Sequence, residues 1–199
     1  MPLSREQGEE LVRLARTTVD GFVRGEDIAD SIRTEPFLKE VRGAFVTLKN
    51  TDGSLRGCIG FPYPVKELGE AVVEAAISAA AYDPRFPKVD PSELDALLVE
   101  VSALTRPVEI PHASPKELPK NVRIGLDGLI VSNPVTSGLL LPQVATEYKL
   151  TPEDFLSETC VKAGLTADAW LTGSVTVQKF QAEVFTETSP RGKVKRELE

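Results

Sequence analysis

Histidine and cysteine, the usual carriers of metal, redox and nucleophilic chemistry, are nearly missing from this chain. Its 199 residues hold one histidine, His112, and two cysteines, Cys58 and Cys160. One histidine and two distant cysteines make no structural zinc site, no C-x-x-C pair and no disulfide framework. Neither H-E-x-x-H nor G-x-G-x-x-G occurs, and no spaced acidic loop proposes a hard-cation site, so no metal ligands are assigned. No apolar run is long enough to span a bilayer. Met1-Pro2-Leu3-Ser4 leads into charged residues without an apolar signal region, so a reducing cytoplasm is the expected location, with no membrane attachment. Positive charge is in deficit: 23 Lys and Arg face 30 Asp and Glu, for a net charge of −7 and a pI near 5.0. That balance argues against a nucleic-acid backbone as the main partner.

What is present suits a globular protein with a real core, 41% hydrophobic and 27% charged. Ser4 with Gln7 resembles a capping box, and Leu11, Leu14, Ala15, Val19 and Phe22 follow at helical spacing. Residues 25–36 read as a loop with a short helical turn. Ala44 to Lys49 and Leu55 to Phe61 read as strands, joined at Asp52-Gly53 into a hairpin. The pattern from Pro64 predicts a helix that stops before Pro84. Leu97 to Leu104 alternates as a strand, and the proline-rich segment 107–120 as irregular surface chain. Val122–Leu126 and Leu129–Val131 predict a second hairpin turning at Asp127-Gly128. Gly138 to Pro142 reads as a short buried strand entering a helix. Thr151-Pro152-Glu153-Asp154 starts a further helix, with Gly164 just past its end. Val175 to Phe185 is the last strand, and the charged tail 189–199 is expected to fray. Hairpins with irregularly placed helices predict an α+β fold with a mainly antiparallel sheet.

The chemistry concentrates in Leu55-Arg56-Gly57-Cys58-Ile59-Gly60. Glycine permits close backbone approach, and a guanidinium two residues from a thiol shares its strand face and favours thiolate. The same pattern also builds a tightly packed strand holding one small thiol, and both readings of Cys58 stand. Arg56 reads either as an anion clamp or as half of a structural salt bridge, with Asp83 as its nearest suggested partner. Arg85, in Asp83-Pro84-Arg85-Phe86-Pro87, poses the same choice. Gly57 and Gly60 read as close-packing positions rather than as a nucleic-acid G-x-x-G loop, because Cys58 and Ile59 between them are not basic. Cys160 and Trp170 read as core. Gln143 follows Pro142 at a strand-to-helix transition, and its amide is a ligand candidate. A covalent site at Cys58 needs a base; His112 or Asp83 would have to serve.

These pieces resemble the AMME chromosomal region protein family in its prokaryotic form. The hexapeptide resembles the family's signature, and Asp83 to Pro87, Gly138-Leu139-Leu140-Leu141-Pro142-Gln143-Val144-Ala145 and Cys160-Val161-Lys162-Ala163-Gly164-Leu165 match in order and spacing. The resemblance runs from about residue 10 to residue 187. It implies a single domain, residues 1–199, of two lobes: a larger one with an antiparallel sheet and flanking helices, and a smaller one. It places the signature near a cleft between them and implies association with Memo-like and radical SAM proteins in a redox or modification system. It supplies no cofactor and no established activity.

Two functions follow. The first is a ligand or catalytic site between the lobes, with Cys58 and Arg56 as catalytic groups and Gly57, Gly60, Asp83, Arg85 and Gln143 as ligand-binding ones. Its ligand is an unidentified small molecule or protein partner. The second is a non-enzymatic interaction module in which the motif is structural.

Overall fold

The structure, a computed structural model, describes residues 2–27 and 35–197. The short helical turn expected within residues 25–36 falls largely outside them, although Pro36–Lys39 does form a 3-10 turn. The chain makes two compact units, one from the residues up to Leu104 together with those from Glu183 onward, the other from Thr105–Ala182.

The first unit begins with helix α1 (Arg5–Arg24). Ser4 Oγ accepts from Gln7 N at 3.2 Å while Gln7 Oε1 accepts from Ser4 N at 2.8 Å, closing the capping box. Leu11, Leu14, Ala15 and Val19 lie on its buried face. Strands β1 (Ala44–Asn50) and β2 (Leu55–Phe61) form the expected hairpin, and β3 (Leu97–Leu104) pairs with the other side of β1. Helix α2 (Leu68–Ala81) packs with α1 and against β1 and β2. Ala44, Val46 and Leu48 of β1 and Val99, Val101 and Ala103 of β3 alternate into one core with these helices. Each fully buried valine or leucine there contributes about 1.5–3 kcal/mol, so this face fixes the register.

Strands β8 (Ala182–Glu187) and β9 (Val194–Arg196) complete an antiparallel sheet ordered β2-β1-β3-β8-β9. β2 and β9 are therefore its two edges. The tail expected to fray contains β9, whose turn is tied by Thr188 N to the Lys193 carbonyl at 2.8 Å.

The second unit holds a four-stranded antiparallel sheet, β4-β7-β5-β6, made of β4 (Val108–Glu109), β5 (Gly128–Ser132), β6 (Ser137–Leu140) and β7 (Thr176–Phe180). Helices α3 (Pro142–Glu147) and α4 (Pro152–Lys162) accompany it. Leu129, Val131, Phe155, Leu156, Cys160 and Trp170 belong to its core, and the Trp170 indole donates to Ser157 Oγ at 3.1 Å. Together the units make the α+β fold with antiparallel sheets.

Three local expectations are corrected. The second hairpin joins β5 to β6, and residues 122–126 contain no strand. Its turn is built on Asn133, whose Oδ1 accepts from Val135 N and Thr136 N at 2.8 and 2.7 Å. The segment Val175 to Phe185 is two strands, β7 in one sheet and β8 in the other. Helix α2 begins at Leu68 rather than at Pro64.

Candidate functional site

Six of the seven candidate residues lie in the first unit, on β2 or in the turn after α2. Gln143 lies in the second unit, exposed on the first turn of α3. His112 is also in the second unit, its Nδ1 2.9 Å from the Ile110 carbonyl of its own segment.

Cys58 sits opposite Thr47 of β1. Its backbone N–H and carbonyl point away from β1, so this is a non-hydrogen-bonded pair, in which facing side chains come closest. Thr47, itself buried, accordingly donates its hydroxyl to Cys58 Sγ at 3.2 Å. On the free edge of β2, Cys58 N donates to Asp83 Oδ2 at 2.8 Å, and Arg85 Nη2 donates to the Cys58 carbonyl at 3.2 Å. Two side chains thus stand where a neighbouring strand would.

The Asp83–Arg85 pair is held locally. Asp83 Oδ1 accepts from Arg85 N at 3.1 Å and from Nε at 2.9 Å, and Oδ2 accepts from Nη2 at 2.7 Å. The Asp83 side chain is 2% exposed, that of Arg85 53%. Hydrogen bonds from the Arg85 guanidinium, joined by the Cys58 N–H, hold the Asp83 carboxyl far below the usual carboxylate range despite its burial. A carboxylate so held is a weak base, with both oxygens already accepting hydrogen bonds, and is poorly suited to take a proton from a thiol.

Arg56 does not pair with Asp83, which corrects the suggested salt bridge. Leu48 faces Gly57 while Lys49 faces Leu55, so Arg56 is an extra residue in β2, a bulge that re-aims its side chain. Its Nε and Nη2 donate to the two carboxylate oxygens of Glu93 at 2.7 and 2.9 Å. Nη1 donates to the Pro87 carbonyl at 3.0 Å and Nη2 to that of Lys88 at 3.3 Å. Glu93 also closes a capping box with Asp90, accepting from its N–H at 2.8 Å. The Arg56 hydrogen bonds hold the Glu93 carboxyl below its ordinary range. Phe86 lies under both guanidiniums, 5.9 Å from that of Arg56 and 5.6 Å from that of Arg85.

The glycines serve packing. A Cβ on Gly57 would stand 2.2 Å from the Ala79 carbonyl oxygen of α2, and one on Gly60 would meet the Ala44 carbonyl at 2.3 Å. Glu93, Thr47 and Phe86 escaped sequence reasoning. Only Glu93 carried a local signal, the Asp90-Pro91-Ser92-Glu93 helix start.

The AMMECR1 family model matches residues 12–185. The chain belongs to the AMMECR1 family. It is 47% identical over 202 residues to a protein of Thermofilum pendens, covering 96% of this chain and 95% of that one. It is 50% identical over 196 residues to a protein of Thermococcus onnurineus, with the same coverage. The crystal structure of uncharacterized protein PH0010 from Pyrococcus horikoshii resembles it with a TM-score of 0.82 at 48% identity, over 98% of both chains. These names carry no activity, and no specific function is established by membership. Among the described residues, no helix is long and apolar enough to cross a membrane.

Proposed function

We propose that this AMMECR1-family protein is a non-enzymatic interaction module in which the signature hexapeptide and the turn after α2 are scaffold. One observation carries the reading: the polar groups suited to chemistry are already committed internally. Arg56 makes four hydrogen bonds to Glu93, Pro87 and Lys88, and both Asp83 oxygens are committed to Arg85 and Cys58. An anion would have to displace a bidentate carboxylate to reach Arg56.

The second reading is a Cys58-dependent activity, accessory to the redox or modification system that the family resemblance implies. It is favoured by the half-buried Cys58 thiol, which accepts from Thr47 beside the Arg85 guanidinium.

Alkylation separates the two. Native and urea-unfolded protein are treated at the same neutral pH, and Cys58 and Cys160 are followed by peptide mass spectrometry. Cys160 is fully buried, and burial pushes its thiol pKa up, so it reports unfolding. In a scaffold, Cys58 labels several-fold more slowly in the native protein than in the unfolded chain. Native labelling faster than unfolded labelling means an activated thiol and overturns the scaffold reading.

A further inference from the structure

We infer that the trough between α1 and β9 binds an acidic, extended polypeptide segment of a partner protein. That segment pairs with the free edge of β9 and sets its carboxylates on Arg13, Arg24 and Lys193. The inference goes beyond the scaffold reading and stands apart from the chemistry of Cys58.

The trough has a volume of about 870 Å³ and follows α1 from Arg5 to Arg24. At 1.5 Å per residue that helix face is about 28 Å long, the span of roughly eight residues of extended chain. Such a length suits a polymer rather than a small metabolite. Val12 and Val194 contribute apolar lining.

The lining charges are uneven in a chain whose net charge is −7. Four carboxylates line the trough, and three are committed. Glu187 takes both Nε and Nη2 of Arg16, Asp20 takes Arg16 Nη1 at 3.4 Å and Arg191 Nε at 2.8 Å, and Glu9 takes Arg5 Nε at 3.0 Å. Arg191 also donates to Asp95. What remains is Arg13, Arg24 and Lys193 against Glu26. Arg24 and Lys193 have no ion-pair partner among the described residues. Arg13 is exposed and only 3.9 Å from Glu10 at its nearest, a surface pair of little strength. Arg13 and Arg24 are eleven residues apart, three turns of helix, and so share one face.

The backbone supplies the second half of the site. Thr188 N donates to the Lys193 carbonyl and Glu197 N to that of Val184, both at hydrogen-bonded positions of the β8–β9 ladder. Alternation then makes Val194–Glu187 and Arg196–Phe185 the non-hydrogen-bonded pairs. The N–H and carbonyl groups of Val194 and Arg196 therefore point off the sheet, with no backbone partner among the described residues. A strand laid there gains main-chain bonds that a nucleic acid does not offer.

The test is fluorescence anisotropy of the full chain with a labelled acetyl-(Glu-Thr)5 peptide, in which every glutamate of an extended strand faces one way. Expected are saturable binding, at least tenfold weakening between 50 and 300 mM salt, and no binding of (Lys-Thr)5. The triple variant R13E/R24E/K193E loses at least tenfold, as does the wild type against a peptide N-methylated at alternate residues. If circular dichroism shows that the charge reversal unfolds the protein, R13Q/R24Q/K193Q replaces it, with the same loss expected. The inference is overturned if acidic and basic peptides bind alike, if neither triple variant weakens binding, or if N-methylation changes nothing. Tighter binding of a single-stranded oligonucleotide of equal charge overturns it as well.

Discussion

The two edges of the five-stranded sheet are treated in opposite ways. At β2, the outward N–H and carbonyl of Cys58 are covered by Asp83 and Arg85, and the neighbouring Arg56 is locked to Glu93. At β9, the outward groups of Val194 and Arg196 have no backbone partner among the described residues, and Arg24 and Lys193, which line the adjoining trough, form no ion pair with any of those residues. An exposed edge invites pairing with another chain and is normally blunted. One edge here is blunted by Asp83 and Arg85 of the turn after α2, and the other is left open beside a trough of positive excess. The contrast accounts for the hexapeptide without assigning it a reaction: a bulge at Arg56, a close helix approach at Gly57 and a capped edge at Cys58 coincide within six residues.

The hardest way to break the closed edge is Gly57→Ala. The added methyl meets the Ala79 carbonyl, a backbone atom that moves only with α2. Overpacking of this kind costs about 3 kcal/mol, read as a lowered denaturation midpoint at unchanged m-value.

Next is Asp83→Ala, which strands the Cys58 N–H. Arg85 is half-exposed and resolvates, so the loss is set by the uncapped donor, about 2 kcal/mol. This variant also makes β2 resemble β9, and sedimentation velocity should show more self-association than in the wild type. The ionised state of Asp83 gives the comparison a pH dependence. Its pKa is depressed in the folded protein, so the stability it contributes is complete above the unfolded value of about 3.9 and declines as pH falls below it. The stability gap between wild type and Asp83→Asn, measured by urea denaturation, should shrink between pH 6 and pH 3.

Cys58 distinguishes packing from hydrogen bonding at the same edge. Cys58→Ala leaves the buried Thr47 hydroxyl without its acceptor and costs about 1 kcal/mol. Cys58→Ser keeps an acceptor and should lose less, by thermal or urea denaturation.

Much of the fold was legible in the sequence, the contrast between its edges was not, and what was missed had a common cause. The capping box at Ser4 and Gln7, the hairpin around Asp52-Gly53 and the start of α4 at Thr151 are local features, set by residues within a few positions of each other. The partner of Arg56 lies 37 residues away and was misassigned, because Asp83 was the nearer carboxylate in the motif pattern. The apolar run from Val175 to Phe185 gave no sign that the chain changes sheets at Gln181. There, Thr105 N donates to the Gln181 carbonyl and Gln181 N to Thr105 Oγ1, both at 2.8 Å, across 76 residues. Asp127-Gly128 looked like a turn, yet Asp127 is fully buried and accepts from Arg123, Lys179 and Gln181. The true turn carried its own signal, Asn133-Pro134. Periodicity also missed β9, which has three residues and takes its order from β8.

The smallest effect sharpens the comparison most. Lys193→Ala and Arg85→Ala each remove one exposed cation beside an edge strand. Arg85→Ala leaves Asp83 buried with one charge and no guanidinium, and an uncompensated buried charge is costly; the residual Cys58 N–H bond limits the loss to about 2 kcal/mol. Lys193 balances no buried group, so its removal should change stability by less than about 0.5 kcal/mol. Urea denaturation of the two variants at neutral pH measures the difference directly. Equal losses would mean that β9 is closed by contacts as firm as those at β2. A near-zero loss for Lys193→Ala with a clear loss for Arg85→Ala would mark the charge at β9 as one the fold does not need for its own stability.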